Sequence, residues 1–64
     1  MAIREFTAKK ILKEAGAKRV SDEAIAEFTI LINRYAYSIA KKAVKLAAHA
    51  KRKTVEKSDI ELAK

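Results

Sequence analysis

Cysteine, proline and tryptophan are missing from this 64-residue chain, and glycine occurs once, at Gly16. Without cysteine there can be no disulfide and no thiolate metal site. The single histidine, His49, cannot build a zinc site. Chains this short seldom fold firmly on a private core, and small scaffolds lean on a disulfide, a metal or a partner chain. With the first two removed, a partner chain is the support left. The length allows one domain, residues 1–64. Long apolar runs are also missing. None approaches the roughly 18 residues of a membrane span, and the N-terminus does not read as a signal peptide. The expectation is a soluble, cytoplasmic protein, and the absence of cysteine fits a reducing compartment.

What is present is positive charge. Fifteen basic and eight acidic side chains leave a formal +7, unevenly spread. Residues 1–20 hold six basic against two acidic groups, residues 21–40 one against three, and residues 41–64 eight against three. Two basic ends around an acidic middle point to a polyanion, nucleic acid or anionic membrane. Half the residues are hydrophobic, yet only four are aromatic. This composition reads all-α.

The spacing predicts a first helix ending near Glu14, with Ala8, Ile11, Leu12 and Ala15 on one face and Lys9, Lys10 and Lys13 on the other. It begins either at a Thr7 cap, with Phe6 stapled to Ile11, or nearer Ile3. Gly16 is a natural stop. Ser21 caps a second helix, with Asp22 and Glu23 at its positive dipole end and Val20 and Ile25 at the staple positions. Nothing interrupts this helix until about Ala50, a rise of about 43 Å. Ile25, Phe28, Ile32, Tyr35, Ile39, Ala43, Leu46 and Ala50 recur at steps of three or four, with Ala24, Leu31, Ala36, Ala40 and Ala47 beside them. Two short helices cover too little of so long a stripe; a second copy of the long helix crossing at the alanines would complete it. A loop, "HAKRKTV", follows. A third helix starts between Glu56 and Ser58, where "SDIE" reads as a capping box of Ser58 with Glu61.

The stretches "ILKEAGAKRVSDEA", "AVKLAAHAKRKTV" and "SDIELA" resemble the archaeal histones, the minimal form of the histone fold, over nearly the whole chain. The resemblance implies a head-to-tail handshake homodimer in which the first loop of one chain lies beside the second loop of the other. It implies double-stranded DNA as the partner, bound without sequence preference, bent or wrapped and compacted, and a place on the chromosome. It implies no reaction, cofactor or small-molecule substrate.

By the same likeness Arg19 enters the minor groove, where a guanidinium suits the negative potential. Lys53 and Thr54 hold phosphates from the partner chain's second loop. Lys10 stands where the family usually has arginine on the DNA-facing first helix, and Lys9 and Lys13 add phosphate contacts. Arg52 and Asp59 resemble the family's internal ion pair, which braces the second loop. His49 resembles a contact between dimers, meeting Asp59 of a neighbouring dimer with Leu46 and Leu62 packed around them, so tetramers or larger assemblies can form. The bland alternative is a histidine satisfied within its own fold. Tyr35 reads as core and Tyr37 as exposed.

The chain departs from the family pattern in three ways. The last helix ends at Lys64, about one turn short. Lys51 stands where glycine is common. Ile30, Arg34 and Ala48 replace outer-face residues that help stack successive DNA turns, which puts long superhelices in question. The rival reading is a histone-fold heterodimerisation module in a larger complex; the charge and the intact "RKT" favour DNA.

Overall fold

The computed structural model describes residues 2–64. Its elements run short, long, short: α1 (Glu5–Glu14), α2 (Asp22–His49) and α3 (Lys57–Ala63). No strand occurs among the described residues, and none of the helices is long and apolar enough to cross a membrane. Contacts divide the chain into one unit running to Arg34 and another from Tyr35 to Lys64, with α2 unbroken between them.

In the first unit α1 follows Arg4, whose extended backbone serves as the N-cap position without a side-chain bond. Thr7 therefore lies inside the helix, and the start nearer Ile3 is the one adopted. Phe6 is 73 % exposed, so no staple to Ile11 sets the entry. Ala8 is buried against this unit's core and Leu12 is half-buried. The helix closes with two left-handed cap bonds: Gly16 N–H to the Lys13 carbonyl at 3.0 Å and Ala17 N–H to the Leu12 carbonyl at 3.1 Å. Gly16 sits at φ +115°, where a side chain is strained.

Ser21 Oγ accepts the Ala24 N–H at 3.1 Å and caps α2 as expected. Ile25 and Thr29 are buried one turn on. The Thr29 hydroxyl donates to the Ile25 carbonyl at 2.7 Å, which satisfies a polar group that would otherwise destabilise the core. Asn33 ties down the segment before α1. Its side-chain oxygen accepts the Ile3 N–H at 2.9 Å, and its amide donates to the Ile3 carbonyl at 2.8 Å and the Thr29 carbonyl at 2.9 Å.

In the second unit Ala43, Ala47 and Ala63 are buried with Asp59. Alanines allow the helices of this unit to approach closely, but each buries little area. α2 ends at His49, and Lys51 takes up φ +59°. The bonds of the first cap recur: Lys51 N–H to the Ala48 carbonyl and Arg52 N–H to the Ala47 carbonyl, both at 2.9 Å. Lys51, a lysine where the resemblance leads one to expect glycine, is therefore left-handed, at a cost of about 1–2 kcal/mol.

α3 starts after Glu56, so the Ser58–Glu61 cap is replaced by one two residues earlier. The Glu56 N–H donates to Asp59 Oδ2 at 2.8 Å, and Glu61 lies 3.8 Å from Lys57 Nζ.

No large side chain among the described residues is fully buried, and Leu31, Tyr35, Tyr37, Val44 and Leu62 stand exposed. Tyr37 lies outside, as its spacing predicts; Tyr35, which the spacing puts in the core, is not covered within one chain.

Candidate nucleic-acid interface

Three basic surfaces can be built from the residues upward. The first is α1. Phe6, Lys9, Lys10 and Lys13 fall at i, i+3, i+4 and i+7, so they share one stripe of the helix, opposite Ala8 and Leu12. All four are exposed. Lys10 Nζ lies 5.7 Å from the centre of the Phe6 ring, within cation–π range.

The second is the loop after α1, which the Gly16 cap turns away from the helix axis. Lys13 Nζ donates to the Lys18 carbonyl at 3.3 Å, so the last lysine of α1 braces this loop. Lys13 thereby has a structural bond beside its expected phosphate role. Arg19 is exposed and makes no ion pair among the described residues, so its guanidinium is free for a ligand.

The third is the loop between α2 and α3. Arg52 brackets it from inside, with Nη1 to Asp59 Oδ2 and Nη2 to Asp59 Oδ1, each at 2.8 Å. Nη1 also donates to the Thr54 carbonyl at 3.0 Å and lies 3.6 Å from Glu56 Oε1. Asp59 is almost wholly buried. The Arg52 hydrogen bonds, then the Glu56 N–H, lower its pKa from 3.8 to about 2. The same hydrogen bond raises that of Arg52. The expected Arg52–Asp59 pair is thus present, fork to fork. With the Thr54 carbonyl held, the Lys53 and Thr54 side chains face outward, both exposed.

The remaining expected residues lie in the second unit. His49 is exposed at the last position of α2, Leu46 is half-buried, and Leu62 on α3 is exposed. Asp59 has both carboxylate oxygens engaged by Arg52, and Oδ2 also by Glu56. The Lys13 brace and the Glu56 cap escaped sequence reading. No local signal marked the latter, because glutamate is not among the preferred capping residues.

A family described as histone-like transcription factor (CBF/NF-Y) and archaeal histone matches residues 7–63. The chain is 50 % identical over 54 residues to "Probable archaeal histone 3" of Methanocaldococcus jannaschii, an alignment covering 84 % of this chain and 81 % of that one. It is 41 % identical to a subunit of the archaeal histone HAN1 of Thermococcus zilligii over the same shares.

Proposed function

Because the chain belongs to the family of archaeal histones and CBF/NF-Y histone-like transcription factors, a DNA-binding histone fold, we propose that it acts as a homodimer that binds, bends and compacts double-stranded DNA with little regard to base sequence. The observation that carries this reading is the second loop. A bidentate pair between half-exposed Arg52 and buried Asp59 holds its backbone, and Lys53 and Thr54 are left to the solvent. A cation and a hydroxyl on a fixed backbone suit phosphates, which are alike at every base pair.

Dimerisation is supported by surface. The single chain exposes 5491 Å², about a third more than the roughly 4,100 Å² of a folded monomer of its mass. In a handshake dimer the Arg19 loop of one chain lies beside the Lys53–Thr54 loop of its partner, and the pair of α1 helices forms a third contact area. Arg19 then fills a narrowed minor groove, Lys53 and Thr54 take the flanking phosphates, and Lys9, Lys10 and Lys13 continue the path. DNA held at several points along a protein of fixed shape has to bend, so duplexes that deform easily are preferred. Leu46, His49, Asp59 and Leu62 serve contacts between dimers, and the protein resides on the chromosome.

Nuclease digestion of complexes tests this reading. Wrapping leaves protected fragments of regular size, whereas a smear without steps means coating. Equilibrium sedimentation of the DNA-free chain should give a dimer; a chain that folds only with a different partner would overturn the homodimer.

A further inference from the structure

Phe6 begins the lysine stripe of α1, one turn before Lys9 and Lys10 and on the side opposite Ala8 and Leu12. An aromatic ring 73 % exposed beside these cations contributes nothing to this unit's core. It lines a shallow groove of about 350 Å³ with Lys9, Lys10, Lys13 and Glu14. Three lysines account for phosphate contacts, but the apolar ring beside them does not. Between phosphates a duplex presents deoxyribose faces and the edges of the minor groove, which are apolar enough to pack against a ring.

We propose that Phe6 is a direct DNA contact. Its ring packs on the sugar and groove-edge surface between the phosphates held by the α1 lysines, and it supplies a share of affinity that salt does not screen. The proposal rests on α1 being a DNA-facing surface. Lys10, held over the ring at 5.7 Å, keeps its ammonium beside the contact. Burying the ring on binding also dries that cation–π pair, which strengthens it.

The test uses the full chain and a fluorescently labelled duplex of mixed sequence, titrated at several salt concentrations. Wild type is compared with Phe6→Ala, Phe6→Trp, Lys10→Ala and Arg19→Ala. Phe6→Ala should weaken binding about three- to tenfold with the slope of log affinity against log salt unchanged. Lys10→Ala should flatten that slope by about 1. The chain has no tryptophan, so Phe6→Trp installs a single one, which can be excited apart from the two tyrosines; it should bind like wild type, with its tryptophan emission quenched when unlabelled duplex is added.

Three outcomes overturn the proposal. In the first, Phe6→Ala binds like wild type while Arg19→Ala is weakened. In the second, its loss comes with the flattened slope of Lys10→Ala, which makes Phe6 only a guide for that lysine. In the third, the dimer dissociates while the affinity of the intact dimer is untouched, which assigns the ring to the protein interface. If wild type itself fails to bind duplex, the DNA reading has failed, and Phe6 with it.

Discussion

Arg52 joins Asp59 and the Thr54 carbonyl through one guanidinium, at 2.8 Å and 3.0 Å. The buried carboxylate and the exposed loop are therefore one mechanical unit. Replacing Arg52 by alanine should leave Asp59 with only the Glu56 N–H, and an unpaired buried carboxylate is strongly destabilising. Melting temperature should fall, and DNA affinity should fall further than for Lys53→Ala. A variant that melts and binds like wild type would show that the pair braces nothing.

Acid should release the same brace. Asp59 has a pKa of about 2 in the fold against an ordinary 3.8. A depressed carboxyl contributes stability that is complete above about pH 4 and lost as pH falls through about 2. Between those limits the wild-type melting temperature should drop towards that of Asp59→Asn. A gap between the two proteins that stays constant from pH 5 to pH 2 would show that Asp59 is not the group responsible.

The two left-handed caps give opposite predictions for one kind of exchange. Lys51→Gly should stabilise the protein by about 0.5–1 kcal/mol, because glycine removes the left-handed strain but gains more freedom when unfolded. Gly16→Ala should destabilise by about 1 kcal/mol. No atom lies within 4 Å of the added methyl, so the cost is backbone strain alone. Denaturant midpoints read both; equal signs for the two changes would contradict the cap geometry.

Arg19→Ala and Lys53→Ala should each weaken duplex binding and lower its salt slope by about 1. Both residues are exposed, so melting temperature should hardly move. If neither variant shifts a binding curve at moderate salt, the assigned surface is wrong.

Assembly beyond the dimer should depend on His49 and Leu62. Cross-linking with DNA present should give tetramers or larger species for wild type and mostly dimers for His49→Ala or Leu62→Ala. Identical ladders would assign these residues to some other purpose.

Local signals in the sequence carried much of the fold. The Ser21 cap, the Gly16 stop and the end of α2 within one residue of expectation all depend on neighbours a few positions apart. The Ser58 cap failed because Asp59 is claimed by Arg52, seven residues earlier, and pulls the helix start back to Glu56. The staple of Phe6 to Ile11 failed because the helix already starts at Glu5, which turns Phe6 to the far side from Ala8. Tyr35 looked like core because its periodicity is right; one chain has nothing to lay over it, and periodicity does not say whose side chains will. The residues expected to touch DNA were legible by family likeness, whereas the Lys13 brace depends on where a carbonyl five residues away comes to rest.

Asn33 uses its side-chain amide to grip only the backbone N–H and carbonyl of Ile3, as one β-strand grips another. A side chain here does the job of a main chain, and it reads only what every residue but proline offers. The tether is consequently blind to the identity of the residue it holds. Position 3 can drift among side chains while the leading segment stays moored, and the mooring is lost by changing Asn33 or by placing proline at position 3.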